Sequence, residues 1–324
     1  MGVPPLRYLS ATELERCLPD VHERLDLAAQ ALSALGRGTA EMPPKIGVHT
    51  RPGALLHAMP AWLHETDLVG LKWIAAYPGN RAYGLPAITG LVVLNDPETG
   101  IPLWIMDAAR ITAARTAAVS GVGIQLFQPP DVQRVAILGA GVQATSHAEL
   151  LRGLLPDAEL VIYDRHEDRA RGVADEALAA GQRTTVVREA REAARSAQVV
   201  ITVASLGRAS QPLTPDWLAD GALAVAVDFA TYCSAELARA VGRFVVDDRD
   251  QFLAYRDSGY FDGYPDPDAT MGEELERGQR GGMSRDSRLP ALVTHLGVGL
   301  ADVLFADAIR RRAEDLGVGT ELPR

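Results

Sequence analysis

The sequence predicts an α/β protein in which a doubly wound parallel sheet is joined to a second α/β domain. Three observations predict it. The apolar run at 135–138 has the length of a strand buried on both faces, and a glycine turn and a helical pattern follow it at once. Strand-like runs at 160–163, 184–187, 199–203, 223–227 and 244–246 then alternate with helical segments, as a parallel sheet requires. The chain before Pro129-Pro130 has a different texture: a long helical pattern, then short β-like runs broken by Pro and Gly.

Taken in order, residues 10–36 read as one helix, with Ser10 as cap and Gly36 as stop. Leu14, Leu18, Val21, Leu25, Ala28, Leu32 and Leu35 recur there at helical spacing. Short strands follow at 55–59, 69–76, 87–94 and 102–106, and the polar stretch 95–100 predicts a hairpin between the last two. Thr112 then opens a helix that stops before Pro129, and its small residues Ala117, Ala118, Gly121 and Gly123 admit a close neighbour. Beyond the alternating part, 260–287 is rich in Gly, Pro and charge, with one short helix near 273–277. An amphipathic helix closes the chain at about 289–316. The expected domains are 1–128, completed by 289–324, and 129–288.

Composition narrows the function classes. A length of 324 residues supports two cores, and 47% hydrophobic with 23% charged residues is ordinary for a globular protein. A net charge of −10 without a basic cluster argues against a nucleic-acid or anionic-membrane partner. Two cysteines, Cys17 and Cys233, make no disulfide framework and fit a reducing compartment. With no apolar signal core, the expectation is a cytoplasmic protein. The seven histidines lack metal-ligand spacing, so no metal site is expected.

The chemistry begins at the glycine turn. Gly139, Gly141 and Ala144 fill G-x-G-x-x-A between a strand and a helix, the arrangement that lets backbone and helix N-terminus approach a pyrophosphate. Asp164 ends the next strand 164 − 139 = 25 residues later, near the spacing of about 20 at which a carboxylate meets the ribose hydroxyls. Gly139, Gly141, Val142, Gln143, Ala144, Asp164 and Arg165 are the expected cofactor-binding residues. Asp164 favours NAD(H), and Arg165 beside it leaves NADP(H) open.

Three further residues stand where chemistry is done. Asp228 directly follows the apolar run 223–227, at the edge where ligands of such sheets lie; it is either a turn or capping aspartate or a proton carrier. Arg115 falls in the first turn of the helix opened by Thr112, a poor place for a cation; it is either a partner of an anion bound there or an exposed arginine reaching solvent. Lys72 interrupts an apolar run, either on the wet face of a strand or paired with a carboxylate in a pocket.

With these residues assembled, the chain resembles the ornithine cyclodeaminase/μ-crystallin family. The resemblance lies in GLKWIAAYPGN (70–80), LPAITGLVVLNDPETGIPLWIMDAARITAARTAAVS (85–120), VAILGAGVQA (135–144), VDFATY (227–232) and LGVGLADVLFADA (296–308). It implies a Rossmann domain, a substrate-binding and dimerisation domain completed by the C-terminal helix, and a homodimer. The implied activity is NAD(P)-dependent oxidoreduction at the Cα–N bond of a small amino or imino acid. A cyclodeaminase and a non-catalytic cofactor-bound protein of μ-crystallin type are the alternatives. Lys72 and Arg115 match positions that hold the substrate carboxylate, Lys45 a basic substrate contact, Thr89 a pocket position and Asp228 the catalytic aspartate, with Lys72 expected beside it as a second catalytic residue. Where ornithine cyclodeaminases have Asp-Cys-Pro-Gly-Lys, this chain reads Asp228-Phe-Ala-Thr-Tyr232, which speaks against ornithine cyclisation.

Overall fold

The computed structural model describes residues 3–195, 197–205, 207, 212–279 and 289–324; the last part of the polar segment, 280–287, lies outside the described residues. In chain order the elements are β1 (Leu6–Leu9), α1 (Ala11–Cys17), α2 (Val21–Arg37), β2 (Ala40–Glu41), β3 (Ile46–Arg51), β4 (Ala54–Leu63), β5 (Leu68–Ala76), β6 (Ile88–Asn95), β7 (Pro102–Asp107) and α3 (Ala108–Phe127). Then come β8 (Arg134–Leu138), α4 (Val142–Leu154), β9 (Glu159–Tyr163), α5 (Glu167–Ala179), β10 (Thr184–Val186), α6 (Ala190–Arg195), β11 (Val199–Thr202), β12 (Leu223–Ala226), α7 (Ala235–Ala240) and β13 (Arg243–Val246). The chain ends with α8 (Arg249–Asp257), β14 (Ala269–Thr270), α9 (Met271–Gln279), β15 (Ala291–Thr294), α10 (Gly299–Leu316) and β16 (Thr320–Leu322). Two units emerge, Met1–Arg115 with Val298–Arg324 and Thr116–Gly297; the boundary falls inside α3 rather than at Pro129-Pro130.

The first unit is a sheet in the order β16-β1-β7-β6-β5-β4-β2, with β3 also on β4. Its pairs are antiparallel except β1 with β7. Helix α10 packs on β4, β5 and β6 and against α1 and α2. It seats closely, because a Cβ on Gly299 would stand 3.0 Å from the Met59 carbonyl oxygen. The expected helix over 10–36 is two helices. Pro19 pushes Leu18 to an extended conformation (ψ 135°), and Asp20 caps the new start by accepting from the Glu23 amide. Gly36 continues the helix, and the stop is Gly38 in the left-handed region at φ 68°.

Helix α3 opens earlier than Thr112 predicts. Asp107 ends β7 and its Oδ1 accepts from the Ala109 amide at 2.9 Å, so the strand runs into the helix with no loop. Thr112 is therefore interior, and Arg115 lies two turns in, beyond the reach of the helix N-terminus.

The second unit is a doubly wound sheet in the order β10-β9-β8-β11-β12-β15-β13-β14, its pairs parallel throughout. The reversal between β8 and β11 is the topological switch at which such sheets bind ligands. The closing helix expected from 289 begins only at Gly299, because 291–294 forms β15, a fully buried strand between β12 and β13. The small face of α3 meets that strand rather than a helix: a Cβ on Gly123 would stand 3.2 Å from Val293. Three buried polar residues cross-link this core. The Ser120 hydroxyl lies 2.7 Å from His147 Nε2 and 2.8 Å from His295 Nε2, and His147 Nδ1 lies 2.7 Å from the Gln143 carbonyl. Among the described residues no helix is long and apolar enough to cross a membrane.

Candidate active site

The glycine turn is built for a close approach. Gly139 has φ 115°, and a Cβ there would stand 2.8 Å from the Val203 carbonyl carbon, so no larger residue fits. Gly141 precedes α4, and the space where its Cβ would point is open. Val142 is exposed, Gln143 is half-buried and Ala144 is buried against the sheet, as close packing of helix on strand requires. Asp164 stands at the end of β9, half-buried. Its Oδ2 accepts from the Ala140 amide at 2.9 Å and its Oδ1 from the His166 amide at 2.8 Å, which tethers the carboxylate to the glycine turn. Each oxygen keeps a lone pair for a ribose hydroxyl. Arg165 beside it is exposed. These residues fit a dinucleotide.

Asp228 lies in the same unit, two residues beyond β12 and 3% exposed. Its Oδ1 accepts from the Thr202 hydroxyl at 2.6 Å and its Oδ2 from the Ala204 amide at 3.2 Å. Burial pushes its carboxyl up to about 7, and these hydrogen bonds restrain the rise only in part. Its carboxylate caps no helix; the turn is closed by its main-chain carbonyl, which accepts from the Thr231 amide at 3.1 Å. Phe229 takes a left-handed φ of 58° and packs against Tyr255, Tyr260 and Phe261. A bulky residue holds that conformation only when its surroundings enforce it, at about 1–3 kcal/mol.

In the first unit, strand alternation places Lys72 on the buried face of β5, not the wet one. Lys72 is 1% exposed, and its Nζ lies 2.7 Å from Oδ2 of Asp302, fully buried in the first turn of α10. Arg115 Nε donates to the other oxygen of Asp302 at 2.9 Å. Arg115 Nη1 is buried and finds no hydrogen-bond partner among the described residues. Burial, with Arg115 nearby, pushes the Lys72 amine down to about 7 against the pull of Asp302, and Lys45 adds to the downward push. Lys45, half-buried just before β3, and Lys72 both act on His57 of β4, whose imidazole burial pushes down to about 4. Two cations and one carboxylate leave a net positive charge for one more anion.

Thr89 does not join this cluster. It is exposed and pairs with Ala75 in the β5–β6 register, whereas Lys72 pairs with Val92 three positions away, so Thr89 lies on the opposite sheet face. Asp302 and His57 escaped the sequence reading. One signal was available: of 32 basic residues in the chain only Lys45 and Lys72 are lysines, and both belong to this cluster.

Known proteins share this architecture and sequence. The chain is 38% identical over 321 residues to the nodulation efficiency protein NfeD of Rhizobium meliloti, covering 98% of each chain. The structure of Thermococcus litoralis Δ1-pyrroline-2-carboxylate reductase, in complex with NADH and L-proline, matches with a TM-score of 0.87 and 25% identity over 98% of this chain and 100% of that one. An archaeal alanine dehydrogenase dimer with bound NAD matches with a TM-score of 0.86 and 27% identity over 98% of this chain and 99% of that one. The model of the ornithine cyclodeaminase/mu-crystallin family matches residues 9–315, and the chain belongs to that family.

Proposed function

We propose that this protein is an NAD(H)-dependent oxidoreductase acting on the Cα–N bond of a small amino or imino acid. The observation that carries the reading is Asp228: a buried carboxyl poised near neutrality at the carboxyl edge of the sheet that bears the glycine turn. Such a group donates and recovers a proton at working pH, and reduction of a C=N bond needs one at nitrogen. A bound nicotinamide would supply the hydride. Gly139, Gly141, Val142, Gln143 and Ala144 would hold its pyrophosphate, and Asp164 its ribose. Lys72 and Arg115, aided by Lys45, take the substrate carboxylate and fix the reacting carbon.

The activities named for the T. litoralis and archaeal relatives support this chemistry. Ornithine cyclisation fits less well, since both lysines of the chain lie in the first unit and none follows Asp228. A homodimer is part of the proposal. Trp73 and Leu91 form a cross-strand pair on the outer face of the first sheet, 40% and 39% exposed. An apolar face of this kind marks an interface, and the archaeal relative is described as a dimer.

The test is a screen of cyclic imino acids, and of α-keto acids with ammonia or amines, following oxidation of NADH and NADPH. Net NADH oxidation on at least one substrate is expected. Ammonia release from a diamino acid without net NADH change would replace the reading with a cyclodeaminase. A preference for NADPH of tenfold or more, about 1.4 kcal/mol, would mean that Asp164 does not face the ribose.

A further inference from the structure

Lys72 and Arg115 are joined by a third residue from the far end of the chain. Asp302 bridges them, one oxygen to Lys72 Nζ at 2.7 Å and the other to Arg115 Nε at 2.9 Å, and all three side chains are buried. Its own position is fixed twice. It lies in the first turn of α10, where the helix dipole favours a carboxylate, and Gly299 seats that turn closely on the Met59 backbone. With Nε committed to Asp302, the fork of Arg115 presents Nη1, which is buried and without a hydrogen-bond partner among the described residues. An orphaned guanidinium nitrogen in a cluster of net positive charge marks the place of one more carboxylate.

We infer that Asp302 is the positioning residue of this carboxylate site: it aims Arg115 and keeps Lys72 charged while the site is empty. The inference rests on the proposed role of Lys72 and Arg115 in holding the substrate carboxylate. Without Asp302 two buried cations would face each other, and the lysine, the only one of the two that can readily lose its proton, would become neutral. The site would then have lost one of its charges before the substrate arrived. With Asp302 in place the substrate meets a preorganised pair, and less charge has to be created on binding. The net charge suits one carboxylate, not two.

The groups around Lys72 decide its titration. Arg115 from α3 and Lys45 from the segment before β3 lower it, and Asp302 from α10 raises it. His57 from β4 is neutral near pH 7, being held at about 4 by burial and by Lys45, His49 and Lys72. Val92, its cross-strand neighbour on β6, carries no charge.

The chain has only two lysines, so full-length protein labelled with [13Cε]lysine shows two resonances, and K45M leaves that of Lys72 alone. The expected result is a wild-type Lys72 that is charged at about pH 6 and a D302N midpoint lower by about 1–3 pH units. D302E should recover most of that difference. The alkaline limb of kcat/KM for Δ1-pyrroline-2-carboxylate reduction should move the same way. A Lys72 midpoint unchanged in D302N overturns the inference. If D302N does not fold, the wild-type spectrum decides, since a neutral Lys72 at about pH 6 overturns it as well. The titration needs no substrate, so a chain that titrates as expected but reduces no imine counts against the proposed function and not against Asp302.

Discussion

Asp228 and Asp302 are both aspartates removed from water, and they are treated in opposite ways. Asp302 is flanked by two cations, so its negative charge is matched and the cluster as a whole is cationic. Asp228 accepts from a hydroxyl and an amide, and burial outweighs both, so its carboxyl is driven up to about 7. The difference teaches how one chain makes two tools from one residue type. A carboxylate between cations is a fixed charge that orders its neighbours. A carboxyl with hydrogen bonds alone is a proton reservoir set near working pH.

Substituting each region separately sharpens the comparison. D228N keeps the shape and removes the proton, and turnover on a confirmed substrate should fall by about 10²–10⁴-fold with little change in cofactor affinity. The same variant should be more stable than wild type at about pH 8. The sign follows from the raised carboxyl: between its ordinary value and about 7 the folded state holds a proton that the unfolded state has lost, so wild-type stability falls as pH rises. The gain should be about 2–4 kcal/mol and should disappear near pH 4, as chemical denaturation would report. Near wild-type turnover together with no stability gain would return Asp228 to an ordinary turn residue.

K72M should do the reverse. On the proposed role it removes one charged contact to the substrate carboxylate, about 1.5–3 kcal/mol, and so should raise KM about 10–100-fold while kcat changes little. Steady-state kinetics on the same substrate measures both. Should K72M lower kcat and leave KM in place, the lysine serves the chemical step and the division of labour between the regions fails.

The second unit was the more legible of the two because its determinants are local. A strand, a glycine turn and a helix follow one another within 135–154, and Asp164 is one element further on. Strand β15 was not legible. Its apolar run continues into that of α10, and a strand buried on both faces carries no period to separate it from a buried helix. The start of α3 was misplaced because Asp107 is at once the last strand residue and the cap. In the first unit Lys72 and Arg115 could be named, but the residue that joins them lies 187 positions from Arg115. No periodicity reports a pairing of that separation. Thr89 shows the cost of placing a residue by resemblance without its register, since a shift of one position exchanges sheet faces.

The Ser120 cross-link in the second core has only one way to order its protons. The Gln143 carbonyl can only accept, so His147 Nδ1 must carry a hydrogen and Nε2 must be bare. Ser120 then gives its hydroxyl proton to His147 and receives one from His295 Nε2, a one-way chain running from the end of β15 through α3 to the first turns of α4. Acid breaks it at His147, because a second proton on that ring removes the acceptor of the Ser120 proton. Burial holds the His147 imidazole down to about 4, below its ordinary 6.5. The unfolded chain therefore binds the proton first, and the stability this ring contributes is complete above about 6.5 and drains away as pH falls toward 4. H147Q cannot charge, and relative to it the wild type should lose about 2 kcal/mol between pH 7 and pH 5 by denaturant titration. Parallel curves would mean that the chain of protons is not ordered in this direction. An ordered chain makes the helix that follows the glycine turn an acid-sensitive seam of the second unit, as buried His57 is of the first, so mild acidification should loosen the packing beneath the proposed cofactor site.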